Sequence, residues 1–233
     1  MGTQGRGKRG GRGAVFVGAV LAAGCGLLPG RPAGPPADPL TGEERNDLGA
    51  AYHARGEYGR AVREFRQALV LHPGWVVALR NLGDAHLAAG EVEAAIAAYE
   101  TALRADPDEP TVANNLAWAL LQHPQRWGEA EGIIRRALAR DPEPRGYYLD
   151  TLGLLLLRKG EPRDALQAFR AALADPELRN GATRALVLRH AGTALDRLDD
   201  HAAAERCHRA AAELEQGHGA RPGNAIGGEN AVC

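Results

Sequence analysis

Small and apolar residues return along this chain at intervals that recur five times. A small residue follows an apolar or small one at Leu48-Gly49, Leu82-Gly83, Leu116-Ala117, Leu152-Gly153 and Ala191-Gly192. Twelve residues beyond each, thirteen in the third case, stands an alanine: Ala61, Ala95, Ala130, Ala165 or Ala204. Four further on comes a larger side chain, Phe65, Tyr99, Ile134, Phe169 or His208, and three beyond that Ala68, Ala102, Ala137, Ala172 or Ala211. Steps of three and four lie on one face of a helix. Each unit therefore predicts two helices, as in "LGAAYHARGEYGRAVREFRQALVLHP" (48–73). Gly56, Gly90 and Gly160 end first helices, and Pro73, Pro107, Pro142 and Pro176 follow second ones.

The spacing has a steric cause. Gly49 and Ala61 are expected where two antiparallel helices cross, since a larger side chain would hold the backbones apart. Phe65 fills the space beside them, and Ala68 admits the next unit. A helix pair with apolar surface on both sides buries its core only by stacking on neighbours. The expectation is an all-α solenoid of about five helix pairs, with repeats near 42–75, 76–109, 110–145, 146–178 and 185–216. The third has a longer turn, "HPQRWG" (123–128), and the segment "DPELRNGAT" (175–183) sets the fifth apart.

These registers resemble those of the tetratricopeptide repeat (TPR) family. Leu48, Gly49, Tyr52, Ala61, Phe65, Ala68 and Pro73 carry the likeness in the first repeat; Leu82, Gly83, Ala95, Tyr99, Ala102 and Pro107 carry it in the second. The fifth departs from the pattern with His208 at the aromatic place. The resemblance covers 43–216 and implies a right-handed superhelix with a concave groove lined by first helices. Carried over residue by residue, the groove places are Asn46 and His53 in repeat one, Arg80, Asn81, Asp84 and Leu87 in repeat two, and Thr111, Asn114, Asn115, Trp118 and Leu121 in repeat three. Repeat four gives Tyr147, Asp150, Leu154 and Leu157, and repeat five Arg189 and Thr193. Asn114 and Asn115 offer a donor and an acceptor to an extended backbone. Trp118, Tyr147 and Leu154 are the expected anchors, unless the two aromatics pack between repeats. The carboxylate-clamp members use lysine and asparagine in their first repeat and lysine and arginine in their third. Only Asn81 matches here, so that partner class is not expected.

Outside the repeats the chain changes character. "RGKRGGR" (6–12) is basic, "AVFVGAVLAAG" (14–24) is apolar or small, and Cys25 follows. A basic, an apolar and a small-residue region make a secretory leader, and the run is too short for the ~20 residues of a spanning helix. Leu21-Ala22-Ala23-Gly24-Cys25 resembles the bacterial lipobox, with Ala22 standing where leucine is commonest. The likeness implies a leader over 1–24 and diacylation of Cys25, and several acyl chains make a stable anchor. Gly26, where an aspartate would retain the protein in the inner membrane, points to the outer one. Residues 25–42 hold five prolines and read as a tether. Residues 217–233, with five glycines, read as a disordered tail.

Charge and composition narrow the function. The chain has 28 Lys and Arg against 29 Asp and Glu; loss of 1–24 removes four basic residues and no acidic one, leaving 24 − 29 = −5. An acidic chain lacks the phosphate-neutralising surface that nucleic-acid binding requires. No P-loop, H-E-x-x-H, G-x-S-x-G or C-x-x-C occurs, so no enzyme and no cofactor is expected. His201 and His208 are seven residues apart, ~10.5 Å along a helix, too far to share a metal ion readily. With Cys207 between them, they read as ordinary helix residues. A Cys207–Cys233 link is open in an oxidising compartment. The layout resembles small TPR lipoproteins that act in type IV pilus secretin assembly, cell-wall hydrolase regulation or exopolysaccharide export. The expected function is a lipid-anchored periplasmic adaptor holding a segment of an envelope protein; the alternative is a self-associating structural repeat protein.

Overall fold

Thr41 opens the array as a reciprocal helix cap. Its hydroxyl accepts from the Glu44 amide at 3.2 Å, and the Glu44 carboxylate accepts from the Thr41 amide at 2.8 Å. The computed structural model describes residues 40–216 apart from 141, 142, 144, 179 and 180. The leader, Cys25, Pro142, Cys233, the tail and nearly all of the tether lie outside the described residues. Ten α-helices follow one another: α1 (Gly42–Ala54), α2 (Tyr58–Leu71), α3 (Val76–Ala88), α4 (Val92–Ala105), α5 (Pro110–Leu120), α6 (Trp127–Leu138), α7 (Arg145–Lys159), α8 (Pro162–Ala174), α9 (Gly181–Asp196) and α10 (His201–Glu215). Among the described residues there is no strand, and no helix is long and apolar enough to cross a membrane.

The ten helices form five antiparallel pairs, each stacked on the next. Successive first helices (α1, α3, α5, α7, α9) touch one another, while second helices pack chiefly against the first helices on either side. First helices therefore take the shorter, inner path of the solenoid.

The small residues sit where two helices meet. A Cβ built on Gly49 would fall 2.6 Å from the Phe65 ring; on Gly83, 2.4 Å from Tyr99; on Gly153, 2.4 Å from Phe169; on Gly192, 2.6 Å from His208. The third pair has Ala117 and Ile134 at these registers, both buried. There one added methyl on the first helix is matched by a smaller side chain on the second. The helix stops follow the same economy: Gly56, Gly90 and Gly160 take φ of 75°, 79° and 83°. Asp199 holds the corresponding turn before α10 at φ 61°, and Asp200 caps α10 through the Ala203 amide at 3.1 Å.

The long third turn is a single 3-10 turn, Pro124–Arg126. It is held by the Trp127 indole N–H donating to the Leu121 carbonyl at 3.0 Å and by Arg126 on Glu100 at 2.6 Å. In α10 the buried side chains are small, and Cys207 among them is fully buried and a disulfide cysteine.

Between the third and fourth pairs, Lys159 reaches Glu131 at 2.7 Å and Glu161 at 2.9 Å. Lys159, then Arg135, hold the Glu131 carboxyl below its usual 4.5. A folded value below the unfolded one stabilises the array above about pH 4.5, and that contribution is lost as pH falls through the lowered value. Lys159→Ala should therefore lower the thermal midpoint at pH 7 by an amount equivalent to under about 1 kcal/mol. The difference from wild type should shrink in scans taken progressively below pH 4.5.

Candidate functional site

The inner face divides into two unlike halves. Toward the N-terminus it is laced by hydrogen bonds between successive first helices. Asn81 on α3 donates from Nδ2 to Asn46 Oδ1 on α1 at 3.0 Å. Asn115 on α5 donates from Nδ2 to Asp84 Oδ1 on α3 at 2.9 Å, and the Tyr99 hydroxyl donates to the same oxygen at 2.6 Å. Burial, then the Asp84 charge, push the Tyr99 phenol well above its ordinary range, so it stays a donor at any physiological pH. Arg80 lies beside this ladder, its guanidinium 3.5 Å from Asn81 Oδ1.

Toward the C-terminus the ladder gives way to a depression of about 530 Å³ between α5, α7 and α9. Its apolar lining is Trp118 and Leu121 from α5 and the residue after it, Leu154 from α7, and Leu186 from α9. Gln122, Asp150, Arg158 and His190 form its polar lining. Trp118 is 44% exposed and Leu186 39%, so both stand open to solvent rather than in the core. His190 and Asp150 meet at 2.8 Å through Nδ1 and Oδ1, and the His190 ring also tilts against Phe169 at 5.7 Å between centroids. One turn before Trp118, Asn114 has a buried Oδ1 that accepts no hydrogen bond among the described residues. Buried acceptors without partners are uncommon and cost free energy until one arrives.

The residues singled out from sequence thus fall into three groups. Trp118, Asp150 and Leu154 come together in the depression, with Asn114 on the same face of α5. Arg80, Asn81, Asp84 and Asn115 belong to the ladder, and the amide nitrogens of Asn81 and Asn115 are already spent on other repeats. Tyr147 is 40% exposed but lies two turns before Leu154 and does not line the depression; its neighbour Tyr148 is buried in the core.

Four lining residues were not singled out: Gln122, Arg158, Leu186 and His190. The repeat register carries the signal for them. Leu186 stands six residues before Gly192, as Tyr147 stands before Gly153, and His190 two before Gly192, as Asn115 stands before Ala117. Arg189 and Thr193, the fifth-repeat residues expected in the groove, go elsewhere: Arg189 pairs with Glu215, and the Thr193 hydroxyl donates to the Arg189 carbonyl. No cluster of three metal-ligating side chains occurs among the described residues. His201 and His208 instead share the Asp196 carboxylate, at 3.2 and 3.3 Å, and hold it below its usual range.

Comparison with known proteins agrees with this architecture. Residues 46–110 and 80–143 match the tetratricopeptide repeat family. The tetratricopeptide repeat domain-containing protein PYG7 of Arabidopsis thaliana chloroplasts is 36% identical over 63 residues, 27% of this chain; the chain matches about a fifth (21%) of that relative's length. Among solved structures, Pseudomonas aeruginosa pilF is 24% identical with a TM-score of 0.65, over 74% of this chain and 76% of its own. MamA from Desulfovibrio magneticus is 18% identical with a TM-score of 0.63, over 76% of this chain and 97% of its own. At these identities the structures carry the fold: a tetratricopeptide-like solenoid of ten helices. Proteins of the matched repeat family are generally non-enzymatic scaffolds that bind other proteins.

Proposed function

We propose that the chain is a lipid-anchored periplasmic adaptor whose inner groove binds a segment of an envelope protein. The observation that carries the binding half is the open, aromatic-edged depression around Trp118. An exposed indole beside Leu121, Leu154 and Leu186 suits an extended segment that buries one apolar side chain. The anchoring half rests on the lipobox-like run ending at Cys25 and on the proline-rich stretch after it. Gly26, in place of the aspartate that retains lipoproteins in the inner membrane, supports the outer membrane. Within that frame, assembly of a type IV pilus or its secretin is the pathway we favour, because small tetratricopeptide lipoproteins of this layout act there.

Two experiments test the two halves. Cys25→Ser removes the thiol that would form the thioether, so metabolic labelling with a fatty-acid probe should mark the wild type and not the variant; equal labelling would exclude lipidation at Cys25. For binding, capture from detergent-solubilised envelope should return one heterologous protein. Recovery of further copies of the chain alone would favour a self-associating structural role instead.

A further inference from the structure

We propose that the depression between α5, α7 and α9 selects partner segments in which an apolar side chain adjoins a carboxylate. This rests on the reading of the groove as a partner-binding surface and adds the chemistry of what it takes. The apolar half is set by Trp118, Leu154 and Leu186, which come from three helices and face one cavity. Water displaced from such a lining by an aliphatic or aromatic side chain favours binding.

The acidic half follows from which charges are already matched. Asp150 is engaged by His190, and Asp196, at the end of α9, by His201 and His208. Arg189 is matched by Glu215, but two guanidiniums at this end have no such match. Arg197 donates to the Leu157 carbonyl at 2.5 Å and makes no ion pair among the described residues. Arg158, on the edge of the depression, is exposed and has no ion pair or hydrogen bond there; the carboxylates near it, Glu131 and Glu161, belong to its neighbour Lys159. Arg158 and Arg197 each stand five residues after the small residue of their repeat, and Gln122 holds that place in the third repeat. The Trp118 indole N–H also lacks an acceptor among the described residues. An incoming group thus meets donors from Trp118, Gln122 and Arg158, and the single acidic group of the lining is already paired. A carboxylate satisfies these donors in a fork geometry suited to guanidinium, whereas a lysine or arginine meets like charge.

The test uses the detergent-solubilised full chain and two dye-labelled probes, followed by fluorescence anisotropy. One is a short Gly/Ser peptide carrying alternating Leu and Glu; the other replaces each Glu with Lys. The Leu-Glu peptide should bind roughly tenfold tighter, as one complementary charge pair at a partly desolvated site allows, and added salt should weaken it. Arg158→Glu should invert the order of the two peptides, and Leu186→Ser should weaken both. Both residues are exposed, and unchanged circular dichroism would verify that the variants fold. Equal affinities, preference for the Leu-Lys peptide, no binding of either, or an acidic preference that survives Arg158→Glu would each overturn the proposal. If envelope capture depends on Trp118 while neither peptide behaves as described, the selectivity fails and the groove stands. If capture ignores Trp118, the groove itself fails.

Discussion

Gly83→Ala should destabilise the array by about 2–3 kcal/mol, the upper part of the ~1–3 kcal/mol that forcing a group into a packed interior costs. The new methyl would lie 2.4, 2.7 and 2.8 Å from three atoms of the Tyr99 ring. That ring cannot swing away cheaply, because it is fully buried and its hydroxyl is tied to Asp84. Moving it would also strip the ladder of a donor. Ala95→Leu should cost a similar amount, since Ala95 is likewise fully buried at a crossing. Two controls isolate the mechanism. Gly128→Ala meets nothing within 4 Å and lies inside α6, so it should be neutral or stabilising by a few tenths of a kcal/mol. Ala88→Leu lies at the exposed end of α3 and should change little. Chemical denaturation of the four variants checks this. Equal midpoints across the set would mean that the small residues do not set the helix spacing.

Trp118→Ala should weaken partner capture by roughly thirtyfold, equivalent to ~2 kcal/mol for loss of a central aromatic anchor. Helical content should stay nearly unchanged, because the indole is 44% exposed and its removal opens no core cavity. Deleting 217–233 should do neither. If the deletion abolishes capture and Trp118→Ala does not, binding belongs outside the groove. Unfolding of the array by Trp118→Ala would assign the indole to the packing between repeats.

The helix pairs were legible because their determinants are local and repeated. Leu82-Gly83 followed by Ala95 and Tyr99 states a crossing within eighteen residues, and the same statement is made at Leu48, Leu152 and Ala191. Backbone details were less so: Asp199 adopts the left-handed conformation that glycine supplies at Gly56, Gly90 and Gly160, and nothing in its identity demands it. The site was legible in part. Trp118, Asp150 and Leu154 share a face by register alone. That Asn81 and Asn115 are committed to Asn46 and Asp84 is a matter of pairs formed across 35 and 31 residues, which residue type does not reveal. Leu186 and His190 were hidden for a different reason: the fifth repeat replaces its aromatic with His208 and follows an irregular segment, which blurs the register that would have placed them.

The claim that this groove holds a segment of an envelope protein is tested most directly by site-specific photo-crosslinking in cells. A photoreactive phenylalanine analogue at Leu186 should capture one envelope protein other than the chain itself. The same analogue at Arg63, on the exposed face of the second helix of the first pair, should capture none. Capture from Arg63 and not from Leu186, or capture only of further copies of the chain at Leu186, would contradict the account.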